Sequence, residues 1–288
     1  MHTALSRPRV AAITLVALLA FAANSLLARM ALRETVIDPA GFTVIRLLSG
    51  ALLLWWLIHR RGVSLRGAGD WPSATALFAY AALFSFAYVS LSTGTGALLL
   101  FGAVQGTMIL VGWRRGERLD ALQWLGFALA VLGLGVLLLP GATAPAPLGA
   151  VSMLCAGAAW GAYSLLGRGH ADPLRVTAGN FVRAVPFALA LGVLALPWLR
   201  WDAQGAALAV ASGAITSALG YAVWYSALRH LDATRAATVQ LSVPVLAALL
   251  GLVFLLEPIG VRFMVASAAV LGGIAIVVTR PARRSRIQ

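Results

Sequence analysis

Lysine is missing from this chain: all 22 basic side chains are arginine, a compositional bias that carries no functional meaning. Cysteine occurs once, at Cys155, so neither an intrachain disulfide nor a cysteine-cluster metal site is available. Charge is scarce, at 11% of residues against 61% hydrophobic, with a mean hydropathy of +0.90, and this excludes an ordinary soluble globule. The nine acidic residues (Glu34, Asp38, Asp70, Glu117, Asp120, Asp172, Asp202, Asp232 and Glu257) and the four histidines all fall in loops or at the ends of apolar runs. An embedded proton relay or a carboxylate for lipophilic cations is therefore not visible. No HExxH or Gly-x-Ser-x-Gly pattern is present, which argues against a membrane enzyme, the alternative from another functional class. A net charge of +13 would suggest nucleic-acid binding in a soluble protein, but here the arginines flank hydrophobic runs and read as topology signals, so no nucleic-acid partner is expected. No cofactor is expected.

What is present is a series of apolar runs. Nothing ionisable lies between Asp70 and Arg114, a stretch long enough to cross a bilayer twice, with Ser92, Thr93, Gly94, Thr95 and Gly96 as the turn. A second such run, between Asp120 and Arg168, is split by Pro140, Gly141, Pro145 and Pro147. The pattern predicts an all-α integral membrane protein of ten spans, near 9–31, 39–58, 72–91, 95–113, 119–139, 148–167, 175–196, 205–228, 234–255 and 260–279. The first run, Val10 to Ala28, reads as a span and not as a cleaved signal. With a cytoplasmic N-terminus, sixteen arginines fall inside and four (Arg29, Arg33, Arg200 and Arg262) outside, so both termini are expected in the cytoplasm of a multi-pass inner-membrane protein.

At an offset near 139 residues the halves echo each other. Asn24-Ser25-Leu26-Leu27-Ala28-Arg29 stands against Tyr163-Ser164-Leu165-Leu166-Gly167-Arg168, Val131-Leu132-Gly133 against Val270-Leu271-Gly272, and Glu117 close to Glu257. With five spans per half, the second copy enters the membrane from the opposite side. The expected organisation is a first five-helix repeat over 9–139, an external linker over 140–147, a second repeat over 148–279 and a basic cytoplasmic tail over 280–288. Inverted repeats are a recurring plan for alternating-access carriers with a midplane binding site.

Further motifs sharpen this reading. The stretch Gly220-Tyr221-Ala222-Val223-Trp224-Tyr225-Ser226-Ala227-Leu228 is followed by Ala236-Ala237, Pro244-Val245, Leu256-Glu257-Pro258 and Val270-Leu271-Gly272-Gly273. The first half offers Gly116-Glu117-Arg118-Leu119, Gly126 and Leu132-Gly133. The sequence thereby resembles the EamA family of the drug/metabolite transporter superfamily, and its N-terminal half is most similar to YddG-type exporters of aromatic amino acids. The resemblance implies a ten-span carrier exporting amino acids or related metabolites, with a multidrug exporter of aromatic cations as the alternative. Its partners would be a small-molecule substrate and membrane lipids, in a monomer or homodimer.

Two arginines, Arg46 and Arg183, fall inside expected spans, where a charge is costly and normally faces a cavity or a polar partner. Either could bind a substrate carboxylate; the alternative is a structural arginine bonded to helix carbonyls. Polar and aromatic side chains expected at the cavity are Asn24, Thr43, Tyr80, Ser85, Tyr88 and Gln105 in the first half, and Trp160, Tyr163, Ser164, Asn180, Tyr221, Trp224 and Gln240 in the second. Trp55, Trp56, Trp71, Trp113, Trp198 and Trp201 lie near span ends and read as interfacial anchors. Spans 5 and 10 carry almost nothing polar and are expected at the periphery. Pro186 and Pro244 are candidate kinks or hinges in spans 7 and 9, and the absence of embedded acids favours gradient-driven movement of neutral or zwitterionic solutes.

Overall fold

Aspartate sets the starts of five helices. Asp38, Asp70, Asp120, Asp172 and Asp202 each stand at an N-cap and accept hydrogen bonds from first-turn backbone N–H groups, with proline in that turn after Asp38, Asp70 and Asp172. Asp120 forms a reciprocal capping box with Gln123. These acids are thus committed to helix ends, where the exposed N–H groups would otherwise meet lipid headgroups unsatisfied. At Asp202 the Gly205 N–H, outweighing a smaller opposing effect of desolvation, holds the carboxyl below the usual carboxylate range.

The computed structural model describes residues 7–141, 144–167, 169–231, 233–279 and 283–284. The helices are α1 (Arg7–Glu34), α2 (Pro39–Arg60), α3 (Trp71–Tyr88), α4 (Thr93–Arg114), α5 (Ala121–Leu138), α6 (Pro147–Leu166), α7 (Pro173–Leu194), α8 (Ala203–Leu228), α9 (Ala233–Gln240), α10 (Val243–Leu255) and α11 (Val261–Val278). Residues 117–118 and 283–284 form a two-residue antiparallel bridge, a small exception to an all-helical chain. Arg168 and most of the tail 280–288 lie outside the described residues.

Nine helical stretches among the described residues, with α9 and α10 joined over Arg235–Leu255 as one of them, are long and apolar enough to cross a membrane. The third expected span, 72–91, corresponds to the 18-residue helix α3 (Trp71–Tyr88), which is not among them. It carries Ser73, Ser85, Tyr80 and Tyr88, all buried against neighbouring helices, which lowers its hydropathy without exposing those groups to lipid.

Cross-links at both ends of the bundle fix helix directions. At the end where α1 begins and α11 finishes, here termed the terminal end, Arg175 donates to the carbonyls of Ser64 (2.8 Å) and Arg66 (2.8 Å). There too Gln123 Nε2 donates to the Val277 carbonyl at 3.2 Å. At the opposite end the Asp38 N–H donates to the Arg200 carbonyl (2.9 Å), the Val36 N–H to Asp202 (3.1 Å) and Arg262 to the Leu139 carbonyl (2.6 Å).

Two local expectations change. Gly94 and Gly96 do not form the turn between α3 and α4 but lie in the first turn of α4. A Cβ on Gly96 would come within 2.5 Å of the Tyr88 ring, and one on Gly94 within 2.7 Å of Ala248, so these glycines permit close packing. Pro244 breaks no helix interior, because the chain turns at 241–242 and Pro244 sits in the first turn of α10, where its missing N–H has no intrahelical partner to lose. Pro186 lies inside α7 on an exposed face. The six end-of-span tryptophans are exposed, and α5 and α11 pack on one another through Gly126 and Gly273 at one side of the bundle.

Candidate functional site

A cavity of about 410 Å³ lies among α1, α3, α4, α6, α7, α8 and α9. Its lining reaches the exposed Gly169 and His170 at the terminal end. Towards the opposite end the lining stops near Asn24 and Phe84; no residue of α5 or α11 takes part.

An aromatic wall dominates. The Trp160 ring stacks on Tyr221 (centroids 5.3 Å apart, 23° between planes) and on Tyr163 (5.1 Å, 30°), and Tyr80 tilts against it at 4.8 Å. Phe21 meets Trp224 edge-on at 5.8 Å. These residues recur at helical spacing, Trp160 with Tyr163 on α6 and Tyr221 with Trp224 on α8, which turns them to one face. Tyr163 donates to Thr177 Oγ1 at 3.3 Å, and Thr177 bonds Tyr225 at 2.9 Å, so three hydroxyls form a chain along one flank.

The other flank is organised by Asn24. Its Oδ1 accepts from Ser212 (2.7 Å) and Thr216 (3.2 Å), and its Nδ2 approaches the Tyr80 hydroxyl at 3.5 Å. Ser212 and Thr216 belong to a nine-residue π-helical stretch, Ala211–Leu219, in the middle of α8. Such wider turns are uncommon and are found at functional sites. Here Gly213 packs against the Arg46 carbonyl of α2, close enough that no Cβ would fit.

Ten of the fifteen expected side chains border the cavity: Asn24, Tyr80, Gln105, Trp160, Tyr163, Ser164, Asn180, Tyr221, Trp224 and Gln240. Five do not. Thr43 donates to Ser85 at 2.8 Å, which ties α2 to α3 behind the wall, and Tyr88 is buried with its hydroxyl on the Thr93 carbonyl at 3.3 Å. Arg183 caps the loop before α3, donating to the Ala68 carbonyl and to the Gly179 carbonyl (3.2 Å), the structural arrangement that competed with carboxylate binding. Arg46 lies one side chain behind the wall, donating to the Tyr80 hydroxyl at 3.0 Å. Phe21, Phe84, Phe101, Met108, Thr177, Thr216 and Tyr225 line the cavity without having been singled out as site residues. Helical spacing was the available signal, since Thr177 precedes Asn180 by three and Tyr225 follows Tyr221 by four.

Arg29 is the larger correction. Counted as an external loop charge, it is 4% exposed within α1, and its Nε meets Glu257 Oε1 at 3.0 Å. Its Nη1 donates to the Tyr88 and Val89 carbonyls, both at 3.0 Å, while the other Glu257 oxygen accepts the Thr93 N–H at 2.7 Å. This cluster joins α1, the α3–α4 turn and the end of α10 above the closed end of the cavity.

Residues 147–279 match the family described as EamA-like transporter family. An uncharacterized protein of Pseudomonas aeruginosa is 58% identical over 266 residues, 92% of this chain and 93% of its own. The second half of the chain is an EamA-like transporter domain. An uncharacterized transporter of Archaeoglobus fulgidus is 28% identical over 247 residues, 81% of this chain and 84% of the relative. A solved crystal structure superposes with a TM-score of 0.64 at 21% identity, covering 94% of this chain and 96% of its own, which shows a common fold. The matched region contains α6 to α11, and with them the Trp160, Tyr163 and Tyr221 stack.

Proposed function

We propose that this EamA-like transporter exports amino acids and related metabolites, aromatic ones included, across a bacterial inner membrane by alternating access through the cavity. The observation that carries this reading is the cavity wall. Stacked rings of Trp160, Tyr163 and Tyr221 face amides and hydroxyls, and among the described residues no carboxylate or arginine belongs to the lining. Such a surface suits a flat apolar group attached to a small polar one. Export of aromatic cations is the competing reading; it is disfavoured because the one buried carboxylate among the described residues, Glu257, is already neutralised by Arg29.

In this reading α3 makes a tenth crossing, and the repeats 9–139 and 148–279 are inverted copies with both termini in the cytoplasm. The excess of arginine at the terminal end supports that orientation, and the similarity to a Pseudomonas protein supports a bacterial host. The cavity would then face the cytoplasm, with the Arg29–Glu257 cluster closing the far side.

Counterflow of labelled tryptophan or phenylalanine in proteoliposomes, at equal pH on both sides, tests the proposal. Accumulation blocked by unlabelled amino acids is the expected outcome. Accumulation blocked only by lipophilic cations would overturn the amino-acid reading in favour of drug export.

A further inference from the structure

Among the described residues three arginines lie more than one turn from any helix end, and they are not equally satisfied. Arg29 has a carboxylate and two carbonyls. Arg183 has two carbonyls. Arg46 is 2% exposed and has a single hydrogen bond, to the Tyr80 hydroxyl, while its Nη1 has no partner. Its guanidinium lies over the rings of Phe84 (4.6 Å) and Tyr80 (5.2 Å), contacts that compensate a buried cation only in part. The ion pairs among the described residues, Arg29–Glu257 and Arg33–Glu34, leave Arg46 without a counter-ion. An uncompensated buried charge is costly, and a protein retains one where a ligand supplies the missing partner.

We propose that Arg46, acting through Tyr80, makes the cavity select solutes that carry a carboxylate over the same solutes lacking one. The inference rests on the reading of the cavity as the substrate site. The Tyr80 oxygen accepts from Arg46 Nη2 at 3.0 Å and is approached by Asn24 Nδ2 at 3.5 Å. With its lone pairs engaged, the phenol is left with its proton, and among the described residues that proton has no acceptor. Tyr80 borders the cavity, so the proton is available to a solute there. A hydroxyl that already accepts from a cation is a stronger donor, and a carboxylate is the acceptor that profits most. The Asn24 carbonyl oxygen is taken by Ser212 and Thr216. This flank therefore presents donors and a positive field, which attracts a carboxylate and repels an amine that lacks one. Arg46 is a positioning and polarising residue; Tyr80 is the group that would touch the solute.

The test is competition of tryptophan counterflow by unlabelled tryptophan, tryptophanamide and tryptamine, in the wild type and in Arg46→Gln, Arg46→Lys and Tyr80→Phe. The wild type is expected to prefer the acid over the amide by about tenfold or more. Arg46→Gln and Tyr80→Phe should bring that ratio near one, and Arg46→Lys should keep part of it. A purely structural Arg46 would lower the amount of active carrier and leave the ratio unchanged, which overturns the inference. So does a wild type that accepts acid and amide equally, although amino-acid transport would then stand. Absence of any tryptophan or phenylalanine counterflow overturns the proposed function instead. The inference is then decided by melting shifts of the purified protein with indole-3-propionate against indole-3-propionamide, where equal shifts overturn it.

Discussion

Trp160 is the residue on which the cavity's apolar character depends. It touches Tyr80, Tyr163 and Tyr221 at once, so its ring orders three others that come from α3, α6 and α8. Each aromatic pair contributes about 0.5–1.5 kcal/mol beyond burial. Trp160→Ala should therefore raise the half-saturating tryptophan concentration by roughly tenfold or more, and Trp160→Phe by less. Counterflow at varied substrate concentration, normalised to the amount of folded carrier, reads this directly. An unchanged half-saturation in Trp160→Ala would mean that the solute does not stack there.

At the scale of elements, the closed end of the cavity is a joint between α1, the α3–α4 turn and the end of α10. The Arg29 and Glu257 side chains are 5% and 10% exposed, so removing one partner strands the other in a low-dielectric setting. Glu257→Gln is expected to cost about 3–5 kcal/mol, seen as a lower melting temperature of the detergent-purified protein. Replacing both, as Arg29→Met with Glu257→Leu, should be less destabilising than either single change, because no unpaired charge remains. Additive losses in the double variant would show that the two side chains act independently. Small residues allow the joint to close: Gly251 leaves room for the Glu257 carboxylate, whose Oε2 would stand 2.7 Å from a Cβ placed there.

The whole molecule is asymmetric about its midplane, with a cavity continuous to one end and a sealed network at the other. A carrier working by alternating access must exchange these two states. In a Cys155→Ala background, single cysteines at Ser164 and Gln240 should react with an impermeant thiol reagent applied from the terminal side. A cysteine at Ser25, buried one residue beyond Asn24 towards the closed end, should be protected from the opposite side and become reactive there when Glu257→Gln is added. Equal reactivity of the Ser25 position from both sides without that change would contradict a closed far end.

Much of this was legible in the sequence for one reason: lipid offers the backbone no hydrogen bonds, so long apolar runs must be helices and charged residues must mark their ends. The aspartates before α2, α3, α5, α7 and α8 mark their helix starts, and the aromatic residues at helical spacing on α6 and α8 share one face that borders the cavity. Sequence spacing could not tell which arginine meets which partner. Arg29 and Glu257 are separated by 228 positions, and nothing local to either announces the other. Arg183 and Arg46 look alike as isolated charges in apolar runs, yet the packing of α7 against the α2–α3 loop gives the first its carbonyls, while the crossing of α2, α3 and α8 leaves the second facing only rings and one hydroxyl. Sequence by itself determined where most of the helices run and named ten of the side chains that border the cavity. Only the tertiary structure decided which charges are spent on holding the bundle together and which stay uncompensated, because compensation of a buried charge is a property of neighbours in space and not of neighbours along the chain.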